Sequence, residues 1–147
     1  MATIPIHYVD LRTFCSVTED DKRVEAALRT FLPEEFPIDR VESEGHFGDR
    51  ILVLSARVEN ADDVRHVLGR LATLDTFDEV LGTLDNRVTE NCELFLRLDK
   101  QAAYGGTVRL GEGITFRAKI EAYPAKRPAA IENAESVLTD LEDAEPA

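Results

Sequence analysis

The side chains in this sequence best placed to do chemistry belong to Pro124-Ala125-Lys126-Arg127-Pro128. Pro128 suits the first turn of a helix, and two cations just ahead of a helix's positive end are unfavourable by themselves. They become favourable when an anion docks, because free N–H groups and both charges then converge on it. A nucleic-acid phosphate is the natural candidate; the plainer reading is an exposed loop whose charges point into water. Catalytic groupings are weaker. Glu44, His46 and Asp49 share a short segment that can in principle hold a proton relay or a metal. The other histidines, His7 and His66, fall on separate elements without ligand spacing. Asp99 beside Lys100 and Gln101 can polarise a substrate, but it is equally an ordinary strand end. No glycine-rich phosphate loop, nucleophile elbow or metal motif occurs. Cys15 and Cys92 are far apart without a Cys-x-x-Cys spacing, which points away from zinc and from a disulfide framework. At inward positions they read as small core residues. These patterns predict no catalytic residue, no metal and no cofactor.

Regular elements must hold those groups, and the periodicities name the elements. Val9, Leu11, Thr13 and Cys15 alternate with Tyr8, Asp10, Arg12 and Phe14, which predicts a strand over residues 4–15. Thr18 then offers an N-cap with Glu19, Asp20 and Asp21 at the positive end, and Val24, Ala27, Leu28 and Phe31 follow at helical spacing until Pro33. Residues 40–44 and 51–58 read as a hairpin whose link carries Gly45 and Gly48, where the backbone needs positive φ. Asn60 caps a second helix with the stripe Val64, Val67, Leu68 and Leu71. Thr76-Phe77-Asp78-Glu79 predicts a capping box on a shorter helix that packs Val80, Leu81 and Leu84. Cys92, Leu94, Leu96 and Leu98 then alternate with Glu93, Phe95, Arg97 and Asp99 in a strand. A polar stretch over 100–106 follows, with short strands around 108–110 and 114–123. A final helix from Pro128 presents Ile131, Ala134, Leu138 and Leu141. The order predicts an α+β fold: a mostly antiparallel sheet with helices packed on one face, a two-layer sandwich. Its 147 residues suit one domain, 1–147, ending in an acidic, frayed tail from about residue 141.

Composition sharpens the functional question. With 44% hydrophobic and 31% charged residues, the chain can bury a core and is not disordered. No apolar run is long enough to cross a bilayer, and the N-terminus lacks the pattern of a signal peptide, so a soluble cytoplasmic protein with no membrane partner is expected. The net charge is −12, with 13 Arg and only 4 Lys. Acid-rich, lysine-poor surfaces suit concentrated salt, where repulsion between carboxylates is screened; an ordinary acidic protein is the alternative. Such a charge argues against nucleic acid at first sight. Its distribution does not: residues 97–127 carry seven cations against three acids, whereas 128–147 carry six acids and no cation. If helices cover one face of the sheet, the other displays Tyr8, Arg12, Phe14, Arg57, Phe95, Arg97, Arg117 and Lys119. Rings interleaved with guanidinium groups suit single-stranded RNA, since every base stacks and every phosphate takes a forked hydrogen bond. Alternatively, the rings fill a dimer contact or second buried layer and the arginines pair across strands.

Three stretches resemble a known family: Glu44-Gly45-His46-Phe47-Gly48-Asp49, Leu96-Arg97-Leu98-Asp99-Lys100-Gln101-Ala102-Ala103-Tyr104, and Glu121-Ala122-Tyr123-Pro124-Ala125-Lys126-Arg127. They are similar to an archaeal family of small RNA-binding proteins often described as predicted exosome subunits. The resemblance runs from Ile6-His7-Tyr8 to the last helix. It implies an α+β fold similar to the large-subunit ribosomal protein that binds 5S ribosomal RNA, and RNA binding without catalysis. Members often have a second histidine where this chain has Phe47, which weakens a metal or proton-transfer role for the loop.

On that reading Lys100, Lys126 and Arg127 hold phosphates, with Gln101 alongside. Arg97, Arg117 and Lys119 line the groove, Phe95 or Tyr104 stacks on a base, and Arg12 and His46 complete the RNA-binding set. RNA, ribosomal or otherwise structured or single-stranded, is the expected partner. Exosome or ribosome components and a second copy in a homodimer are further candidates. The alternatives are a scaffold subunit that makes no RNA contact and a small-molecule enzyme built on Glu44, His46 and Asp99.

Overall fold

The computed structural model describes residues 5–16, 18–44, 48 and 50–144. The chain runs β1 (Ile6–Cys15), α1 (Asp21–Arg29), β2 (Asp39–Glu44), β3 (Arg50–Val58), α2 (Ala61–Leu71), α3 (Phe77–Gly82), α4 (Leu84–Arg87), β4 (Glu93–Asp99), α5 (Lys100–Tyr104), β5 (Gly113–Ile120) and α6 (Arg127–Ala144). The five strands form one sheet in the order β2-β3-β1-β5-β4, and every neighbouring pair is antiparallel. This is the expected α+β architecture.

Period-two alternation decides which side the helices take. Val9, Leu11, Leu54, Ala56, Leu94, Leu96, Leu98, Ile114, Phe116 and Ala118 all point to one face and are almost completely buried. Val24, Ala27 and Leu28 of α1, Val64, Val67 and Leu68 of α2, and Ala130, Ala134 and Leu138 of α6 close over them in a single core. Removing this much apolar surface from water is the main stabilising term. Thr13 is the one buried polar side chain among the described residues, and its hydroxyl donates to the Gly113 carbonyl at 2.7 Å, which offsets the cost of burying it. Cys15 and Cys92 are buried free thiols.

The differences from expectation are local. Asp20, not Thr18, caps α1 and accepts from the Lys22 N–H, because Thr18 turns its hydroxyl to Ser16 instead. Asn60 does cap α2. Thr76 makes no side-chain capping bond, so no capping box forms, and the expected third helix is broken at Thr83 into α3 and α4. The stretch after β4 is helical: Asp99 accepts from the N–H groups of Gln101 and Ala102 and starts α5. Residues 108–110 make only an isolated bridge between Leu110 and Leu98. Gly48 has φ +80, as the hairpin requires, whereas Gly45, His46, Phe47 and Asp49 lie outside the described residues. Gly111 permits close crossing, since a Cβ there would meet the Asp99 Cβ at 2.6 Å.

Phe116 sits at the centre of the core with no exposure. Phe116→Ala is expected to lower unfolding free energy by about 3–5 kcal/mol, read as a fall in denaturant midpoint at unchanged slope.

Candidate nucleic-acid interface

Opposite the helices, the sheet's second face remains accessible, and strand register sets its side chains in rows. Tyr8 lies beside Lys119, which lies beside Glu93. In the next row Arg57, Asp10, Arg117 and Phe95 are neighbours, and then Ser55, Arg12, Thr115 and Arg97. Val41, Val53 and Phe14 continue the face toward the hairpin side.

Asp10 organises the middle row. Its carboxylate accepts two bonds from Arg57, at 2.9 and 3.0 Å, and one from Arg117 at 2.5 Å. Arg117 also reaches Glu93 at 3.4 Å. Partial burial pushes the Asp10 pKa upward, but the bonds from Arg57 and Arg117 prevail and hold it below the ordinary value. Arg57 lies over the Tyr8 ring with its guanidinium carbon 4.1 Å from the centroid, and Arg117 lies 5.9 Å from it. Tyr8 is thus already covered by cations.

Arg12 and Arg97 contrast with this group. They flank Thr115, about 10 Å apart at two strand spacings, and neither has an ion-pair or hydrogen-bond partner among the described residues. Both are exposed. Phe14, 52% exposed, carries Arg12 at 5.8 Å from its ring, and Phe95, 37% exposed, has no ring partner among the described residues. Unpaired guanidinium groups and accessible rings therefore share one surface.

Of the other cations expected to meet RNA, all but Lys126 are already engaged. The Lys100 ammonium, its side chain only 15% exposed, sits 2.8 Å from Glu19 and donates to the Phe14 carbonyl at 2.9 Å. The Tyr104 hydroxyl donates to the same carboxylate at 3.0 Å, and the Arg23 guanidinium carbon lies 5.8 Å from its ring. Burial pushes the Glu19 pKa upward, yet bonds from Lys100, the Ser16 N–H and Tyr104 bring it down to about 2. Burial and the Glu19 bond push Tyr104 up to about 12. Lys119 donates to the Asn91 carbonyl at 2.5 Å. Arg127 donates to the carbonyls of Val88, at 2.9 Å, and Asp85, satisfying the end of α4 rather than facing outward. Lys126 and Gln101 are exposed, and no partner for either side chain is found among the described residues.

The positive island of 97–127 is accordingly split. Arg97, Arg117 and Lys119 reach the open face, Lys100 ties α5 to β1 and to the turn before α1, and Lys126 and Arg127 sit at the start of α6 beside Tyr123, 85% exposed. His46 lies outside the described residues. Asp99 is engaged in capping α5, and among the described residues no group of three His, Cys, Asp or Glu side chains could hold a metal. The roles of Asp10 and Glu19 were missed because each depends on cations from distant elements, although alternation did place Asp10 outward.

Comparison with known proteins identifies the family. The sequence model of a family described as RNA binding matches residues 8–120. An RNA-binding protein of Pyrococcus abyssi is 34% identical over 136 residues, covering 85% of this chain and 88% of the relative. Crystallised protein AF2318 from Archaeglobus fulgidus, of the DUF54 family, is 31% identical with a TM-score of 0.81, covering 90% of this chain and 99% of that one. The DUF54 protein Mth689 from Methanothermobacter thermautotrophicus is 36% identical with a TM-score of 0.76, covering 90% and 98%. The chain belongs to this RNA-binding family.

An acid held below its unfolded value stabilises the fold above that value and loses the contribution as pH falls through the folded one. The Glu19 contribution is therefore full above about 4.5 and fades toward about 2. Glu19→Gln is expected to be less stable near neutrality and to lose less stability than the parent across that window, measured by urea midpoints at stepped pH.

Proposed function

We propose that this member of the RNA-binding family binds RNA on the open face of its sheet and performs no catalysis. One observation carries the proposal: Arg12 and Arg97 have no ion-pair or hydrogen-bond partner among the described residues and share a surface with the exposed rings of Phe14 and Phe95, while the neighbouring cations are held by carboxylates or carbonyls. Arg12 and Arg97 grip phosphates through forked hydrogen bonds, and Phe95 and Phe14 stack on bases. Arg117 and Lys119 border this track, and Lys126, beside Tyr123, extends it toward the start of α6. Lys100, Gln101 and Tyr104 support the track through α5, which Glu19 ties to β1. The naming of the Pyrococcus abyssi relative as RNA-binding supports the same reading.

The whole chain, 1–147, acts as one RNA-binding domain in a salt-rich cytoplasm, within exosome- or ribosome-associated RNA metabolism. The acidic, lysine-poor composition and the resemblance to an archaeal family often described as predicted exosome subunits, with an implied fold similar to that of the 5S-RNA-binding ribosomal protein, support that context. High salt weakens attraction driven by counterion release and shortens screening to about 3 Å at molar concentration. Binding there rests on contact geometry and stacking.

Filter binding to single-stranded RNA at low and molar salt tests the proposal. Arg12→Ala with Arg97→Ala is expected to weaken binding at least about tenfold at low salt. Phe95→Ala should cost about 1–3 kcal/mol, a loss that persists at molar salt while the arginine effect shrinks. Parental affinity in both variants overturns the proposal.

A further inference from the structure

β4 is one of the sheet's two outer strands, and its free edge is covered at both ends but open in the middle. At one end the Thr89 N–H donates to the Glu93 carbonyl at 2.9 Å, and Val88 bridges Leu94. At the other end the Gly111 N–H donates to the Arg97 carbonyl at 3.1 Å and the Asp99 N–H to the Arg109 carbonyl at 2.8 Å. These bonds fix the direction of the strand's polar groups: 93, 97 and 99 turn theirs to the edge, so alternation turns those of Phe95 the same way. The Phe95 carbonyl and the Arg97 N–H are left in the gap, with no partner among the described residues. They open on a cleft of about 640 Å³ that Asn86, Arg87 and Leu110 help to wall, a size in the range of small-ligand pockets.

An exposed sheet edge ordinarily invites another strand. Between two covered ends this one offers only the Phe95 carbonyl and the Arg97 N–H, with the Phe95 N–H beside the Val88–Leu94 bridge, too short a window for a strand to pair. A planar heterocycle with an adjacent donor and acceptor matches it, and the pairing edge of every nucleobase has that pattern. The surroundings suit a nucleotide as well. Among the described residues Arg97 has no ion-pair or hydrogen-bond partner at the mouth, and Arg87, which uses its Nε on the Thr83 hydroxyl at 2.9 Å, has none for its terminal nitrogens. The Phe95 ring leads from the cleft to the open face.

We infer that this cleft takes one splayed-out base of single-stranded RNA, its pairing edge bonded to the Phe95 carbonyl and the Arg97 N–H. The inference rests on the RNA reading of the open face and names where a base is read there. Duplex RNA is excluded from the cleft, because its pairing edges are already occupied.

The test uses isotope-labelled full-length protein titrated with short homo-oligomers of each of the four bases. The tightest binder is then compared with its counterpart methylated on the pairing edge without change of charge. That counterpart keeps the phosphates and a stacking face but loses the donor–acceptor pair. The Arg97 amide proton is expected to move downfield with the unmodified oligomer and not with the methylated one. The methylated oligomer should bind about tenfold more weakly, as two neutral hydrogen bonds require. Asn86→Trp, which fills the mouth from an exposed position, should weaken the unmodified oligomer similarly while leaving the methylated one unaffected. If both oligomers bind equally and shift only open-face resonances such as Arg12 and Phe14, the cleft inference is overturned and the RNA reading stands. If none of the oligomers binds, both fall.

Discussion

Helices cover only one face of this sheet, so the strands β1, β3, β4 and β5 must each deliver a row of apolar residues to that side and leave the alternate row accessible to water. The core depends on this asymmetry: Leu11, Leu54, Leu98 and Phe116 are buried because their neighbours in sequence are not asked to be. The same asymmetry creates the accessible face. Charged side chains on adjacent antiparallel strands stand close enough to interact, so whatever the second face displays has to be electrostatically compatible across five strands.

Asp10 meets that requirement at the centre of the sheet. Without an anion between them, Arg57 and Arg117 would confront one another across β1, two strand spacings apart. Held by one carboxylate, they become a rigid platform that also covers Tyr8. The consequence is a division of labour among cations of one type. Arginines beside Asp10 are structural, and those one row away, beside neutral Ser55 and Thr115, keep their hydrogen-bonding capacity for something else. A net charge of −12 is compatible with an anionic partner on this account, because short-range geometry, rather than the overall field, governs the contact.

The Glu19 carboxylate performs a similar task on the helical side, joining the turn before α1, α5 and the end of β1 through Lys100 and Tyr104. Lys100 and Tyr104 belong to the stretch that resembles a family motif. Their contacts here are with the protein itself, and they account for the pattern as packing around the start of α5. A motif that recurs can mark a scaffold for a site as readily as the site.

By itself the sequence determined the alternation and hence the fold class, the face on which Arg12, Phe14, Phe95 and Arg97 emerge, and the caps at Asn60 and in the hairpin glycine Gly48. These are local properties, set by side-chain period and backbone sterics. Residues 100–104 were not legible as a helix because five residues carry too little periodicity, and the Thr76 box failed because packing around Phe77 and Val80 outweighs one cap. Tertiary structure alone decided which cations are free. Lys100, Arg117 and Arg127 look alike in sequence to Arg97, but their partners come from residues 81, 107 and 39 positions away. It also decided where the edge of β4 stays open, since that gap depends on two distant segments stopping short of each other, and no pattern within β4 encodes it.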